Sequence, residues 1–231
     1  MENRQEELLK IIINEYIKNA EPVSSGFLVN KFNLPYSPAT VRNELVKLEK
    51  DGYIFQPHTS AGRVPTEKGF NFFIKNFLKL NNTNKKNQKN VNLANEMSIK
   101  QAAKSLAEES GLAVFWALHR NNVYYTGISN LLSQPEFCET QKVIDISRVI
   151  DHIDEIINEI FKDIKYSEQI LIGENNPFGA VCGSVIIKYK NKDVPSVAKA
   201  MASEDGMLGI IGPMRMDYEK CVALINGILL T

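Results

Sequence analysis

A serine followed by a proline at residues 37 and 38 marks the clearest helix start in the chain. The Ser37 hydroxyl can accept a hydrogen bond from a backbone N–H of the first turn, and Pro38 fits the first helical position because no N–H is needed there. Gly52 stands where a left-handed residue ends a helix. The pattern predicts a helix over 37–51. Three apolar residues form one stripe along it: Val41, Leu45 and Leu48. The other faces hold the polar residues Thr40, Arg42, Asn43, Glu44 and Lys47.

The segments around this helix have the order of a known DNA-binding architecture. An amphipathic helix is predicted over 4–19, and Ser24 is a candidate cap for a short helix over 26–32. Two short strands, 53–56 and 63–65, enclose a polar turn, and Thr66 caps another helix. Helix, helix, turn, helix, hairpin and helix therefore follow each other within 80 residues. This order predicts a winged helix-turn-helix.

The rest of the chain is predicted to form a second domain, so the fold class is α+β. Residues 1–80 form the winged helix domain, the Asn- and Lys-rich segment 81–98 a solvated linker, and residues 99–231 a mixed domain. A cationic linker could also make loose phosphate contacts. In the mixed domain, helices are predicted at 99–110, 140–150, 153–164 and 216–229, and strands at 112–118, 123–126, 169–172, 181–189 and 207–211.

Charge is distributed unevenly although the net charge of the chain is zero. Residues 1–104 carry 16 Lys and Arg against 10 Asp and Glu, a net +6, and residues 105–231 carry 11 against 17, a net −6. A basic first part is typical of a module that binds a polyanion, although ordinary solvated surface is an equal alternative on charge alone.

Cysteine usage and hydropathy indicate the compartment. The three cysteines lack CxxC spacing, and the N-terminus lacks a hydrophobic signal region. The sequence contains no run of about 18 apolar residues, so no membrane span is predicted. We therefore expect a cytoplasmic protein with its cysteines as small core residues. These are Cys138, Cys182 and Cys221.

The helix over 37–51 has the side chains for reading double-stranded DNA. The start of such a helix meets base edges in the major groove, and its free N–H groups favour a phosphate. Arg42 can form two hydrogen bonds with guanine, and Asn43 two with adenine. Ser37 and Thr40 can bond phosphate or base, Ala39 lies on the same turn, and Lys47 is placed for a phosphate.

The predicted hairpin supplies further candidates: His58, Thr59, Ser60, Gly62 and Arg63. Small polar residues let the backbone approach phosphates closely, and an arginine suits a phosphate or a narrow minor groove. Alternatively, Gly62 only makes the turn and Arg63 is an exposed side chain without a role. His58 has no carboxylate partner nearby in sequence, which favours a structural role over catalysis.

Signals for catalysis are weak. Gly206, Gly209 and Gly212 lack the Lys-Ser/Thr of a phosphate loop and lie in an apolar run that predicts a strand. His58, His119 and His152 have no metal-ligand spacing with the cysteines. GxSxG and HExxH are absent. We therefore expect no enzymatic activity, no metal and no cofactor.

Several strings of residues closely resemble the HrcA-type heat-inducible repressors. The hairpin string QPHTSAGRVPT at 56–66 is long and unusual, so its specificity is high. The other matching strings are EPV at 21–23, SPATVRN at 37–43, GISNLLSQPEF at 127–137, IGEN at 172–175 and IGPMRMDY at 211–218.

This resemblance implies a homodimer that binds an inverted repeat upstream of chaperone operons. It also implies a repressor whose active state depends on the GroEL chaperonin, and a GAF-like C-terminal domain with an inserted dimerisation segment. The sequence departs from the family at 119–122, which joins two stretches that are widely separated in other members. We therefore expect a reduced GAF-like α/β domain that still dimerises.

Three alternatives stay open at this point. A GAF-like domain could bind a small molecule and make the protein a metabolite-responsive regulator, although a fold alone does not establish this. An enzyme with an appended DNA-binding domain would need a cleft of convergent ionisable groups. RNA could replace DNA as the nucleic acid bound by the first domain.

Overall fold

The chain divides into two compact units, Met1–Lys79 and Leu80–Thr231. The computed structural model describes residues 2–78, 96–119, 122–164, 168–190 and 205–229. Most of the predicted linker, residues 81–95, lies outside the described residues. The first described helix of the second unit begins at Glu96, three residues before the start predicted for the helix over 99–110.

The first unit contains four helices and a two-stranded hairpin in its described residues. Each of the three predicted caps is confirmed: Ser24, Ser37 and Thr66 accept hydrogen bonds from the backbone N–H groups of Phe27, Thr40 and Gly69. The elements are α1 (Asn3–Asn19), α2 (Ser25–Phe32), α3 (Pro38–Lys50), β1 (Ile54–Phe55), β2 (Val64–Pro65) and α4 (Glu67–Phe77).

The apolar stripes of these helices meet in one core. Helix α1 contacts α3, α4 and β2, and α2 contacts α3. Glu15 of α1 is buried and pairs with Lys31 of α2, which joins these two helices. Residues buried in this core include Leu8, Leu9, Ile12, Ile13, Leu28, Val41, Leu45, Leu48, Ile54 and Phe70.

The second unit contains five helices, five strands and two 3-10 turns in its described residues. They are α5 (Glu96–Ser110), β3 (Ala113–His119), β4 (Asn122–Thr126), α6 (Ile128–Leu132), a 3-10 turn (Pro135–Phe137), α7 (Thr140–Asp151), α8 (Ile153–Ile160), β5 (Glu168–Ile172), a second 3-10 turn (Gly173–Asn175), β6 (Cys182–Lys190), β7 (Asp205–Pro213) and α9 (Tyr218–Leu229). The five strands form one sheet in which all neighbours are antiparallel, with the order β4-β3-β7-β6-β5. The helix α6 and the two 3-10 turns were not predicted, and α8 ends at Ile160 rather than at 164.

Alternation along the strands directs side chains to two covered faces. On one face Phe115, Ile186 and Met207 join a buried cluster with Ile146 of α7 and Ile157 of α8. On the other face α5 and α9 contact the central strands and each other. Both faces of the sheet are therefore apolar, which explains the nearly continuous hydrophobic runs in its sequence.

The glycines of β7 make room for neighbouring side chains. A Cβ at Gly206 would lie 2.3 Å from the Tyr189 ring, and one at Gly209 would overlap Phe115. All three glycines of the apolar run lie within β7, which extends two residues beyond each end of the predicted strand 207–211.

The cysteine prediction is correct for two of the three residues. Cys182 and Cys221 are buried, and burial raises the pKa of each thiol to about 12. Cys138 is exposed. It directly follows the turn Pro135–Phe137, where Phe137 supplies the buried side chain instead. Among the helices of the described residues, none has the length and apolar character needed to cross a bilayer.

Candidate nucleic-acid interface

The start of α3 presents the predicted polar residues at the surface. The Ser37 Oγ accepts from the backbone N–H of Thr40 at 3.1 Å and lies 3.0 Å from the Thr40 Oγ1. Both hydroxyls therefore take part in the cap and lie at the N-terminal end of the helix. Ala39, Arg42 and Asn43 are exposed.

The opposite side of α3 holds Val41, Leu45 and Leu48 against the core. Because these residues anchor one stripe of the helix, the orientation of its exposed residues is set by core packing. Arg42 and Asn43 are neighbours on this exposed side, one turn after the cap.

Glu44 corrects the sequence prediction, which placed it with the polar faces of this helix. Its side chain is buried and accepts a hydrogen bond from Gln5 Nε2 at 3.2 Å, and Lys47 Nζ donates to it at 3.1 Å. The Arg4 guanidinium lies 3.9 Å from the same carboxylate. Two of these three partners belong to α1, so Glu44 joins α1 to α3.

The bond from Lys47 is the largest cause that holds the pKa of Glu44 below its ordinary value of 4.5. Burial acts in the opposite direction, while Gln5 and Arg4 also lower the pKa. Lys47, expected to face a phosphate, is half-exposed and paired with this carboxylate.

We expect Glu44→Gln to destabilise the first unit near neutral pH and to lose this effect in acid. A carboxylate whose pKa is lowered on folding stabilises the fold above its ordinary value, and the contribution disappears as pH falls through the lowered folded value. Amide exchange of α1 and α3 in wild type and variant measures the difference. This difference should shrink as pH falls from neutral to about 3.

Glu7→Gln is the matched control because Glu7 is an exposed residue of α1. Near neutral pH it should change stability by no more than about 0.5 kcal/mol. A Glu44→Gln effect that stayed constant across the pH range would contradict the electrostatic role of Glu44.

The two strands of the hairpin pair antiparallel, and the side chain of Gln56 bonds across the turn between them. Its Nε2 donates to the carbonyl of Thr59 at 3.0 Å and to that of Ala61 at 2.8 Å. The turn is closed by a bond from the Ala61 N–H to the His58 carbonyl. His58, Thr59 and Ser60 are exposed at the tip.

Gly62 and Arg63 attach the hairpin to the segment before α2. The backbones of Arg63 and Val23 exchange two hydrogen bonds of 2.8 and 2.9 Å. A Cβ on Gly62 would lie 2.4 Å from the Val23 carbonyl carbon and 2.7 Å from that of Pro22. Glycine is therefore required here by the close approach of two backbones.

The Arg63 side chain is turned away from solvent. Only 12% of it is exposed, and its Nη2 lies 2.9 Å from the Glu49 Oε2. The sequence prediction treated it as a cation available to DNA, so this pairing changes what Arg63 can do.

Sequence reasoning missed Glu44, Glu49 and Gln56. A signal existed for Glu44, which lies three residues after Val41 and four before Leu48 and so falls on the buried stripe. No comparable signal marked Glu49, whose partners lie on the hairpin. Among the described residues no group of three His, Cys, Asp or Glu is placed to hold a metal ion.

Known proteins with related sequences were found for both units. A family model described as the HrcA protein C terminal domain matches residues 68–222. The heat-inducible transcription repressor HrcA of Natranaerobius thermophilus is 54% identical over 71 residues, which are 31% of this chain and 21% of that protein. That of Thermotoga maritima is 49% identical over 80 residues, covering 35% and 24%. These matches therefore span only about a quarter or less of each relative's length.

A longer match and a solved structure extend the similarity to the whole chain. HrcA of Halalkalibacterium halodurans is 22% identical over 332 aligned positions, covering 97% of this chain and 94% of that protein. The alignment exceeds the 231 residues of this chain, so the relative contains residues without a counterpart here. A crystal structure of a hypothetical protein shares the fold, with a TM-score of 0.78, 20% identity and coverage of 100% and 97%. Because the family model covers more than half of its residues, the chain belongs to the HrcA family.

Proposed function

We propose that this protein is a transcriptional repressor that binds double-stranded DNA at heat-shock chaperone operons. The observation that carries the proposal is the exposed face at the capped start of α3, where Ala39, Arg42 and Asn43 stand opposite a buried stripe. The relatives are heat-inducible transcription repressors by name, which supports the biological role.

In this proposal the first unit is a winged helix-turn-helix, and α3 enters the major groove. Arg42 contacts guanine and Asn43 adenine, each through two hydrogen bonds. The Ser37 and Thr40 hydroxyls and the free N–H groups of the first turn face a phosphate. Ala39 is small enough to leave room for a base edge, and Lys47 reaches a phosphate from its position beside Glu44.

The hairpin forms the wing. Its exposed tip residues His58, Thr59 and Ser60 approach the adjacent backbone or minor groove, and Gly62 keeps the wing close to Val23. Phosphate contacts of this kind fix the register of a protein on the duplex, whereas base contacts specify the sequence.

The second unit is proposed to be a reduced GAF-like domain that forms a homodimer. A two-fold dimer matches an inverted repeat, because each protomer then reads one half-site. We further propose that GroEL promotes the active state of the repressor.

Fluorescence anisotropy at one stated salt concentration tests these proposals. The labelled duplexes are an inverted repeat from a chaperone operon, one half-site and a scrambled sequence. Tight binding to the full repeat alone supports a dimeric repressor, and a further gain with GroEL supports chaperonin control. Equal weak binding to all three duplexes would contradict a specific repressor. Addition of duplex RNA as a competitor separates DNA from RNA binding.

Arg42→Ala is expected to weaken binding to the operator by about 1–3 kcal/mol and to relax the preference for one base pair. The reason is the loss of two hydrogen bonds to a base edge. Anisotropy titrations with the operator and with each substituted base pair measure both effects.

Lys50→Ala is the matched control, because Lys50 is an exposed cation in the last turn of the same helix. It should leave the ratio of operator to random binding unchanged. An equal loss on operator and random DNA for Arg42→Ala would rule out a base-reading role.

A further inference from the structure

We propose that Glu49 and Arg63 act as a brace that fixes the wing against α3, so that Arg63 is a positioning residue and not a phosphate ligand. This inference rests on the proposed DNA-binding function and concerns how the same surface is aligned. It assigns a share of the operator affinity to Glu49, which is not among the residues proposed above to contact DNA.

One carboxylate contacts the residues that flank the turn of the hairpin on its two sides. The Glu49 Oε1 accepts from the backbone N–H of Gln56 at 3.1 Å, directly after β1. The Glu49 Oε2 pairs with Arg63 Nη2 at 2.9 Å, directly before β2. Since Glu49 belongs to α3, these two contacts tie the helix to the hairpin on both sides of its turn.

The hairpin that this brace fixes is also held in shape by hydrogen bonds of its own. Gln56, whose backbone N–H bonds Glu49, also donates through its side chain to the carbonyls of Thr59 at the tip and of Ala61 after it. Arg63 bonds Val23 through its backbone. A chain of contacts therefore runs from α3 through Glu49 to the turn of the hairpin at Thr59 and Ala61 and, through Arg63, to Val23.

The surroundings of Arg63 argue against a direct role at DNA. Its side chain is 12% exposed, and its Nε is buried with no hydrogen-bond partner within the described ranges. To reach a phosphate, the guanidinium would have to leave Glu49 and abandon a buried position. A charge-assisted pair between planar groups holds both partners in one geometry.

The wing then contacts DNA directly only through the residues of its exposed tip, His58, Thr59 and Ser60. Small errors in the angle between wing and helix would prevent α3 and the tip from meeting the duplex together. Loss of the brace should therefore reduce affinity without removing any phosphate contact.

A double-mutant cycle on the full chain tests this, with Arg63→Met, Glu49→Gln and both together, titrated against operator duplex over a range of salt concentrations. We expect each single variant to lose about tenfold in affinity and the double variant to lose no more than either single one. The slope of log affinity against log salt should stay at the wild-type value. Arg63→Lys, which keeps one charged donor, should recover part of the loss.

Controls separate the brace from general effects. Glu7→Gln measures what the loss of one negative charge does to DNA affinity, and circular dichroism establishes that each variant is folded. A slope reduced by about 0.9 in Arg63→Met would mean that Arg63 contacts a phosphate, and additive losses in the cycle would mean that the pair is not coupled. Either result overturns the brace while leaving the repressor function intact. No preference of the wild-type protein for operator over scrambled duplex would instead refute the proposed function, and the brace with it.

Discussion

Gly62→Ala is expected to detach the hairpin from the segment before α2 and to destabilise the first unit by about 2–3 kcal/mol. The added Cβ would lie 2.4 Å from the Val23 carbonyl carbon and 2.6 Å from its oxygen. Both neighbours are backbone atoms, which cannot turn aside as a flexible side chain does. Relief of the overlap must therefore break the two bonds between Val23 and Arg63.

Hydrogen exchange measures this result directly, because the Val23 and Arg63 amides are the donors of those two bonds. Both should lose protection in the variant. Operator affinity should fall as well, because displacement of the hairpin moves Arg63 and breaks its contact with Glu49.

Gly26→Ala is the matched control. Gly26 lies in α2, and a Cβ there would meet no heavy atom within 4 Å. Alanine is the better helix former by about 1 kcal/mol, so this variant should be as stable as the wild type or more stable. If Gly62→Ala behaved like Gly26→Ala, the close packing of Gly62 against Val23 would be wrong.

Trp116→Ala should destabilise the second unit by about 3–5 kcal/mol, the largest effect of the substitutions considered. Trp116 is fully buried in the central part of the sheet, and its Nε1 donates to the Tyr189 hydroxyl at 2.6 Å. Truncation leaves a cavity of nearly a whole indole and an unpaired buried hydroxyl. Calorimetry is the suitable measurement, because Trp116 is the only tryptophan and the variant loses that fluorescence.

Tyr189→Phe separates packing from hydrogen bonding at this position. It keeps the ring that covers Gly206 and removes only the acceptor for Trp116, so we expect a smaller loss of about 1–3 kcal/mol. Equal losses for the two variants would mean that the hydrogen bond, and not the packing, dominates.

The Trp116 variant also tests the proposed division of labour between the units. If the second unit dimerises, its destabilisation should remove the preference for the full inverted repeat. Binding of a half-site by the first unit should persist. Loss of half-site binding to the same extent would contradict this division.

Local signals predicted the first unit well. Ser24, Ser37 and Thr66 begin their helices as expected, because each cap is a hydrogen bond to a residue three positions later. Gly52 adopts the left-handed conformation, with φ of +77°, that the helix end required. The exposed placement of Arg42 and Asn43 also followed from helical periodicity.

Most elements of the second unit were predicted, but their arrangement was not. The strands were recognisable as apolar runs, whereas the order β4-β3-β7-β6-β5 depends on pairing between residues far apart in sequence. The glycines of β7 show the same limit. Their spacing is visible in the sequence, but the rings of Phe115 and Tyr189 that occupy the freed space belong to other strands.

The sequence by itself therefore determined the helix caps, the hairpin, the apolar stripes and, through the string at 56–66, the resemblance to the HrcA family. These depend on residues within a few positions of each other. Only the tertiary structure decided which charged side chains are buried and which partners they pair with. Glu44 is buried because α1 brings Arg4 and Gln5 to it, and Arg63 is withdrawn from solvent because α3 brings Glu49 to the hairpin. An ionisable side chain takes its role from the charges that surround it, and those charges are assembled only by the fold.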